Sequence, residues 1–236
     1  MTIREYFGDW ETVVDLQEAD RILRKLSASK KKICPLIRDI FKAFRLCSLK
    51  TLRVVIIGQD PYPTLKTPTP CDSSQGLLPT ATGLAFANSS DTPASKYSPS
   101  LDILKESVIN FTIPHGSINF DPDLEKWEKQ GVLLLNSALS CEAGRVGSHI
   151  LMWRPFICSF LKNLSKCSTG IVYILMGSQA QTFEPYINPQ FNHIFKITHP
   201  AYYARTKTRM PSEIWQQVNN ILIGQNGYGI EWYQKI

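Results

Sequence analysis

The chain has 236 residues, enough to bury a full core in one large α/β domain, and carries 26 Lys and Arg against 20 Asp and Glu, a formal net charge of +6. That balance favours a polyanionic partner such as nucleic acid. The six cysteines are scattered with no C-x-x-C pair, which excludes the usual zinc spacing and a short secreted disulfide framework, so they read as reduced thiols.

No apolar run approaches the length of a membrane span. The stretch from Met1 to Trp10 carries early acids and no apolar signal core. The expectation is an intracellular protein, nuclear or cytoplasmic according to its source, without a membrane partner.

In chain order, residues 20–28 and 35–46 read as helices. In the second, Pro35 suits a first turn and Leu36, Ile37, Ile40, Phe41 and Phe44 share a face. Residues 52–57 form a short apolar run that ends in glycine, the pattern of a buried parallel strand. Similar runs recur at 132–139, 171–176 and 193–197. Helical patterns lie between them at 101–111, 153–165 and 178–187, and a last helix is expected over 211–223, from Pro211 to just before Gly224. This alternation predicts an α/β domain, with a short, mostly parallel central sheet flanked by helices in three layers, as a single domain over 1–236. Residues 58–99 form a long irregular stretch rich in Pro, Thr, Ser and Gly, and 64–82 has the composition of a flexible excursion.

In such sheets ligands bind beyond the carboxyl ends of the strands, and the polar motifs fall there. Gly58-Gln59-Asp60-Pro61-Tyr62 follows the first strand. Its aspartate can act as a base or stabilise positive charge, although Asp-Pro is equally ordinary turn chemistry. Phe86, after Gly83, can stack on a planar ligand or simply join the core. Asn136 interrupts an apolar strand, and its amide needs partners from backbone or from a ligand such as a base edge. Gly177-Ser178 opens a helix, which suits a phosphate or a plain N-cap. The run from His199 to Arg205, with Pro200, Tyr202 and Tyr203 inside it, looks like a loop that faces nucleic acid; a solvated loop is the alternative. Each item is ambiguous alone, but their gathering on one sheet edge is not readily chance.

Together these residues resemble the uracil-DNA glycosylase family of the GQDPY type. Gly58 to Tyr62 match that motif, and Gly83 to Phe86 look like the family's G-L-x-F. Ser98 to Leu101 resemble the end of its proline-rich loop. The run from Trp127 to Asn136 is similar to the approach to its base-reading asparagine. Ser148-His149 with Trp153, Gly177-Ser178 and His199-Pro200 follow in the family's order, so that the likeness covers roughly 35–220.

The resemblance implies an enzyme of base-excision repair that flips uracil from single- or double-stranded DNA and hydrolyses its glycosidic bond, leaving an abasic site. It implies Asp60 and His199 as catalytic groups; Gln59, Tyr62, Phe86 and Asn136 around uracil; and Ser100, Ser178, Pro200, Tyr202, Tyr203 and Arg205 toward DNA. No metal or other cofactor is implied. The protein is expected as a monomer, with a protein inhibitor or a replication protein as further partners.

Three departures stand out. Pro63 replaces the family's histidine, the segment before Gly83 is longer than usual, and the loop after His199-Pro200 has Ala201 and Ala204 for serines and Tyr203 for the intercalating leucine. An aromatic wedge remains compatible with duplex insertion. Similar departures, including Pro after the tyrosine, occur in viral members. The alternatives are a glycosylase-fold processivity subunit with secondary activity, and an enzyme for another base. A nucleotide-metabolising enzyme would want a phosphate-binding glycine loop, which the sequence lacks.

Overall fold

The computed structural model describes residues 3–67, 76–111 and 118–235. Four five-residue strands, β1 (Val54–Gly58), β2 (Val132–Asn136), β3 (Val172–Met176) and β4 (His193–Ile197), pair in parallel in the order β2-β1-β3-β4. β1, β2 and β3 are buried along their whole length, which is why they read as unbroken aliphatic runs, whereas the edge strand β4 is partly exposed.

The helices that concern the site are α1 (Leu16–Ser27), α2 (Lys42–Leu46), α3 (Pro99–Phe111), α4 (Glu125–Lys129), α5 (Ile150–Cys167), α6 (Ser178–Gln181), α7 (Pro200–Thr206) and α8 (Glu213–Asn226). They flank the sheet in two groups. Phe41 and Phe44 near α2 meet Trp153, Phe156 and Phe160 of α5 in one aromatic cluster, which Phe7 and Trp10 complete. In the other group α3 packs on α7 and α8, and Trp127, Trp215 and Trp232 interlock with centroids 4.8–5.7 Å apart. No helix among the described residues is long and apolar enough to cross a membrane.

Several boundaries differ from expectation. The helix foreseen over 35–46 is a 3-10 turn, Ile37–Asp39, followed by the short α2, because Phe41 (φ −104°, ψ 24°) leaves helical geometry between them. The apolar spacing was real, since Ile40, Phe41 and Phe44 are buried, but two turns satisfy it. The helix over 178–187 stops at Gln181, and Pro185, lacking a backbone N–H, sits at the start of a separate 3-10 turn, Glu184–Tyr186. The final helix begins at Glu213 and runs through Gly224 to Asn226, with Gly227 (φ 83°) as its left-handed cap. The strand over 132–139 ends at Asn136, because the next N–H groups, of Ser137 and Ala138, turn to the carbonyls of Gly58 and Gln59. In the expected flexible excursion, Leu65–Lys66 pairs antiparallel with Leu78–Pro79, and 68–75 lies outside the described residues.

Gly131 sets the entry to β2. Its φ is +87°, its carbonyl accepts from the N–H groups of both Arg53 and Val54, and a Cβ there would lie 1.9 Å from the Thr51 carbonyl oxygen. Gly131→Ala is therefore expected to lower unfolding free energy by at least about 1–3 kcal/mol, seen as a lower urea midpoint. An unchanged midpoint would contradict this account of the β1–β2 junction.

Candidate active site

The chain leaves β1 toward β2 and leaves β3 toward β4, so the crevice beyond the carboxyl ends of β1 and β3 is the switch point of the sheet. The register pairs Gly58 with Asn136. A Cβ on Gly58 would lie 2.7 Å from Asn136 Oδ1 and 3.0 Å from Phe86 Cζ. The bare backbone of Gly58 is thus the floor on which the amide and the ring both rest.

Above this floor is a small cavity of about 20 Å³, lined by Asp60, Pro61, Tyr62, Ala81, Leu84, Phe86, Ser100, Asn136 and His199. Six residues singled out in the sequence, Asp60, Tyr62, Phe86, Ser100, Asn136 and His199, therefore converge on one space. Gln59 stands beside it: its amide nitrogen donates to Asp60 Oδ1 at 3.3 Å, and its carbonyl accepts from Ser137 Oγ (2.7 Å) and Ala138 N (3.0 Å).

Phe86 has φ 67°, an outlier for a bulky side chain, at a cost of about 1–3 kcal/mol. The surroundings hold it there. Ala85 N donates to the Leu134 carbonyl of β2 at 3.1 Å, and the Tyr62 hydroxyl donates to the Phe86 carbonyl at 2.8 Å. The buried Asn88 ties the segment to Ser98 by two side-chain bonds. Burial pushes the Tyr62 phenol well above its ordinary range, so it stays a donor.

Asn136 is 8% exposed, and its side-chain amide has no hydrogen-bond partner among the described residues. The amide opens on the cavity, where a ligand able to pair with both of its ends would satisfy it.

Asp60 Oδ2 accepts from Gly147 N at 2.5 Å. Burial raises the Asp60 pKa above the ordinary carboxylate value, and the bonds from Gly147 and Gln59 hold the rise in check. His199 caps α7, and its Nδ1 accepts from Ala201 N at 3.1 Å. Nδ1 is therefore unprotonated, and in the neutral ring the proton sits on Nε2. Burial also pushes the pKa of His199 below the ordinary histidine value. Its ring lies 5.6 Å from that of Phe86, centroid to centroid. A Cβ on Gly177 (φ +93°) would come within 2.8 Å of His199 Cβ, so this glycine admits the histidine.

The remaining candidates lie outside the cavity. Ser178 is exposed at the start of the four-residue α6. The segment expected as a loop after His199 is the helix α7, with Pro200 preset for its first turn. Pro200 is buried, Tyr202 is 46% exposed, and Tyr203 is partly buried against the core, the two rings meeting edge to face at 5.6 Å. The exposed Arg205 guanidinium lies 5.8 Å from the Tyr202 ring. Sequence reasoning missed Gly147, the donor to Asp60, and Ser137, which anchors Gln59. A glycine beside the Ser148-His149 match was the only signal for the first.

The fold and site define a parallel α/β protein with a carboxylate, a neutral histidine, an aromatic ring and an unpaired amide around a small cavity at its sheet edge. Residues 44–223 match the uracil DNA glycosylase superfamily. The chain is 32% identical to a uracil-DNA glycosylase of Sodalis glossinidius, over 98% of this chain and 95% of that one. It is 36% identical to one of Yersinia pestis, over 87% and 83%. It also superposes on the crystal structure of mimivirus uracil-DNA glycosylase with a TM-score of 0.70 at 19% identity, covering 97% of this chain and 90% of that one. The chain belongs to the uracil-DNA glycosylase family.

The histidine geometry has a direct check. In nitrogen-resolved NMR, His199 is expected as the Nε2–H tautomer, titrating below the ordinary histidine value. Because its folded pKa is lowered, its contribution to stability is complete above the unfolded value and is lost as pH falls through the folded one. An Nδ1–H tautomer, or titration above the ordinary value, would contradict the assignment.

Proposed function

We propose that the protein excises uracil from DNA in base-excision repair by the joint action of Asp60 and His199, with Asn136 reading the base. The observation that carries this reading is the buried, unpartnered amide of Asn136, set beside the Phe86 ring and sharing a cavity with Asp60 and His199.

A base within a duplex shields its glycosidic bond, so the nucleotide must leave the stack to enter this cavity. Phe86 stacks on the uracil ring. The Asn136 carbonyl accepts from uracil N3–H and its NH₂ donates to O4. Cytosine offers an unprotonated N3 and an amino group instead, so both bonds fail, at roughly 1–3 kcal/mol each. Tyr62, held by its bond to the Phe86 carbonyl, stands against C5 and excludes the methyl group of thymine.

When the C1′–N1 bond breaks, its electron pair leaves with uracil and the sugar becomes cationic. His199 donates from Nε2–H to O2 as negative charge develops there, and its lowered pKa keeps it a neutral donor. Asp60 faces the sugar, offsets its positive charge and takes the proton of the water whose oxygen bonds to C1′. In this reading the water oxygen ends on C1′, so the product is the abasic site. Ser100 at the cavity wall and Ser178 outside it serve flanking phosphates, and the exposed Tyr202 and Arg205, on the helix that Pro200 and the partly buried Tyr203 anchor, face the duplex.

The same reading makes the chain a single glycosylase domain, acting as a monomer inside the cell on single- and double-stranded DNA. Since a mimivirus neighbour was solved in complex with UGI, a protein inhibitor is a further partner in this reading.

Asp60→Asn and His199→Leu are each expected to slow single-turnover uracil release by roughly 10²–10⁴-fold with unchanged circular dichroism. Wild-type activity should fall on the acid side at a pH above the ordinary carboxylate value, as Asp60 takes a proton. Near wild-type release by both variants would refute the mechanism.

A further inference from the structure

Lys30, Lys31 and Lys32 are exposed, and among the described residues none of them forms an ion pair. Their segment is bonded directly to the catalytic edge. The Lys32 carbonyl accepts from Ala143 N at 2.9 Å, and the next two residues, Ile33 and Cys34, pair antiparallel with Glu142 and Cys141. The same short stretch continues through Gly144, whose N–H donates to the Pro63 carbonyl at 2.8 Å, to Gly147, which donates to Asp60. The lysine tract therefore stands one hydrogen-bonded strand away from the loop that holds the catalytic carboxylate.

Other charges nearby have the same sign. Lys25, on the last turn of α1, lines a groove with Ser29, Ser148 and His149, and both Lys25 and Arg145 act electrostatically on His149. The acid there, Glu142, is already paired with Arg145 at 2.7 Å. A second exposed basic run, Arg205, Lys207 and Arg209, lies on and just after the helix that His199 caps. Exposed cations thus accompany both segments that bring Asp60 and His199 to a cavity that, on the function proposed above, must receive one nucleotide of a continuous polyanion.

We infer that Lys30–Lys32 form a second DNA-binding element, which holds backbone phosphates of the strand that bears the flipped nucleotide from the strand pair that leads to Asp60. The inference rests on the proposed function for the identity of the ligand. Three exposed ammonium groups on a short turn act as point charges without sequence preference, so they set affinity and salt dependence and leave the chemical step alone.

The test uses the full chain with Lys30, Lys31 and Lys32 all changed to Ala, and a second variant with all three changed to Arg. Uracil release from a duplex oligonucleotide and anisotropy binding of an unmodified duplex are followed over a salt series. The expected result is a KM and a dissociation constant raised roughly 10-fold near 0.1 M salt in the Ala variant, a log–log salt slope reduced by about 0.9 per phosphate lost, and recovery in the Arg variant. An unchanged slope and dissociation constant would show an ordinary solvated turn and overturn the inference. A fall in kcat at unchanged KM would overturn it too. Absence of uracil release by the unaltered protein would refute the proposed function instead, and the anisotropy series would still decide whether the tract binds DNA.

Discussion

The site depends on one steric constraint, the approach of the Asn136 amide and the Phe86 ring to the bare backbone of Gly58. Any side chain at that position would meet Asn136 Oδ1 at 2.7 Å. The parallel register of β1 and β2 places Asn136 opposite Gly58, and the bond from Ala85 N to the Leu134 carbonyl brings Phe86 across the same floor. Sheet pairing, loop path and the placing of the amide beside the ring are thus one structural fact. A one-residue slip of β2 would turn Asn136 to the other face and dissolve the cavity.

Around that floor the protein holds a strained feature, the left-handed backbone of Phe86, beside an amide, that of Asn136, which opens on the cavity. Both are sustained by rigid neighbours: fully buried strands beneath and two aromatic clusters on the flanking helices. Strain of this kind persists where the surroundings over-determine a geometry, and it fixes the ring and the amide side by side at the cavity. The charged groups follow the same logic. Gly147 fixes Asp60, and the amide of Ala201 fixes which nitrogen of His199 carries the proton.

Much of this was legible in the sequence. Three of the four strands, β1, β2 and β3, stand where aliphatic runs mark them, because strands buried on both faces leave that signal regardless of tertiary detail. The motif residues were visible because they follow those runs. Less legible was whatever depends on contacts distant in sequence. The division of 35–46 into two turns left the apolar spacing intact. The segment from Pro200 to Thr206 read as a loop because its tyrosines and alanines carry no clear helical stripe, yet packing against α3 makes it a helix. Gly147 could not be read as a partner of Asp60, since a backbone N–H leaves no mark in composition. The relative exposure of Tyr202 and Tyr203 likewise follows from the helical turn between them and the core.

The central claim is that Asn136, seated on Gly58, reads the base. The most direct measurement is base release from oligonucleotides that carry uracil, cytosine or thymine at one position, with the unaltered protein and with Asn136→Asp. The unaltered protein should release uracil alone. The Asp variant, able to present a proton to cytosine N3 and accept from its amino group, should gain cytosine release while losing most of its activity on uracil. Release of cytosine by the unaltered protein, or an Asp variant with the original preference and rate, would contradict the account.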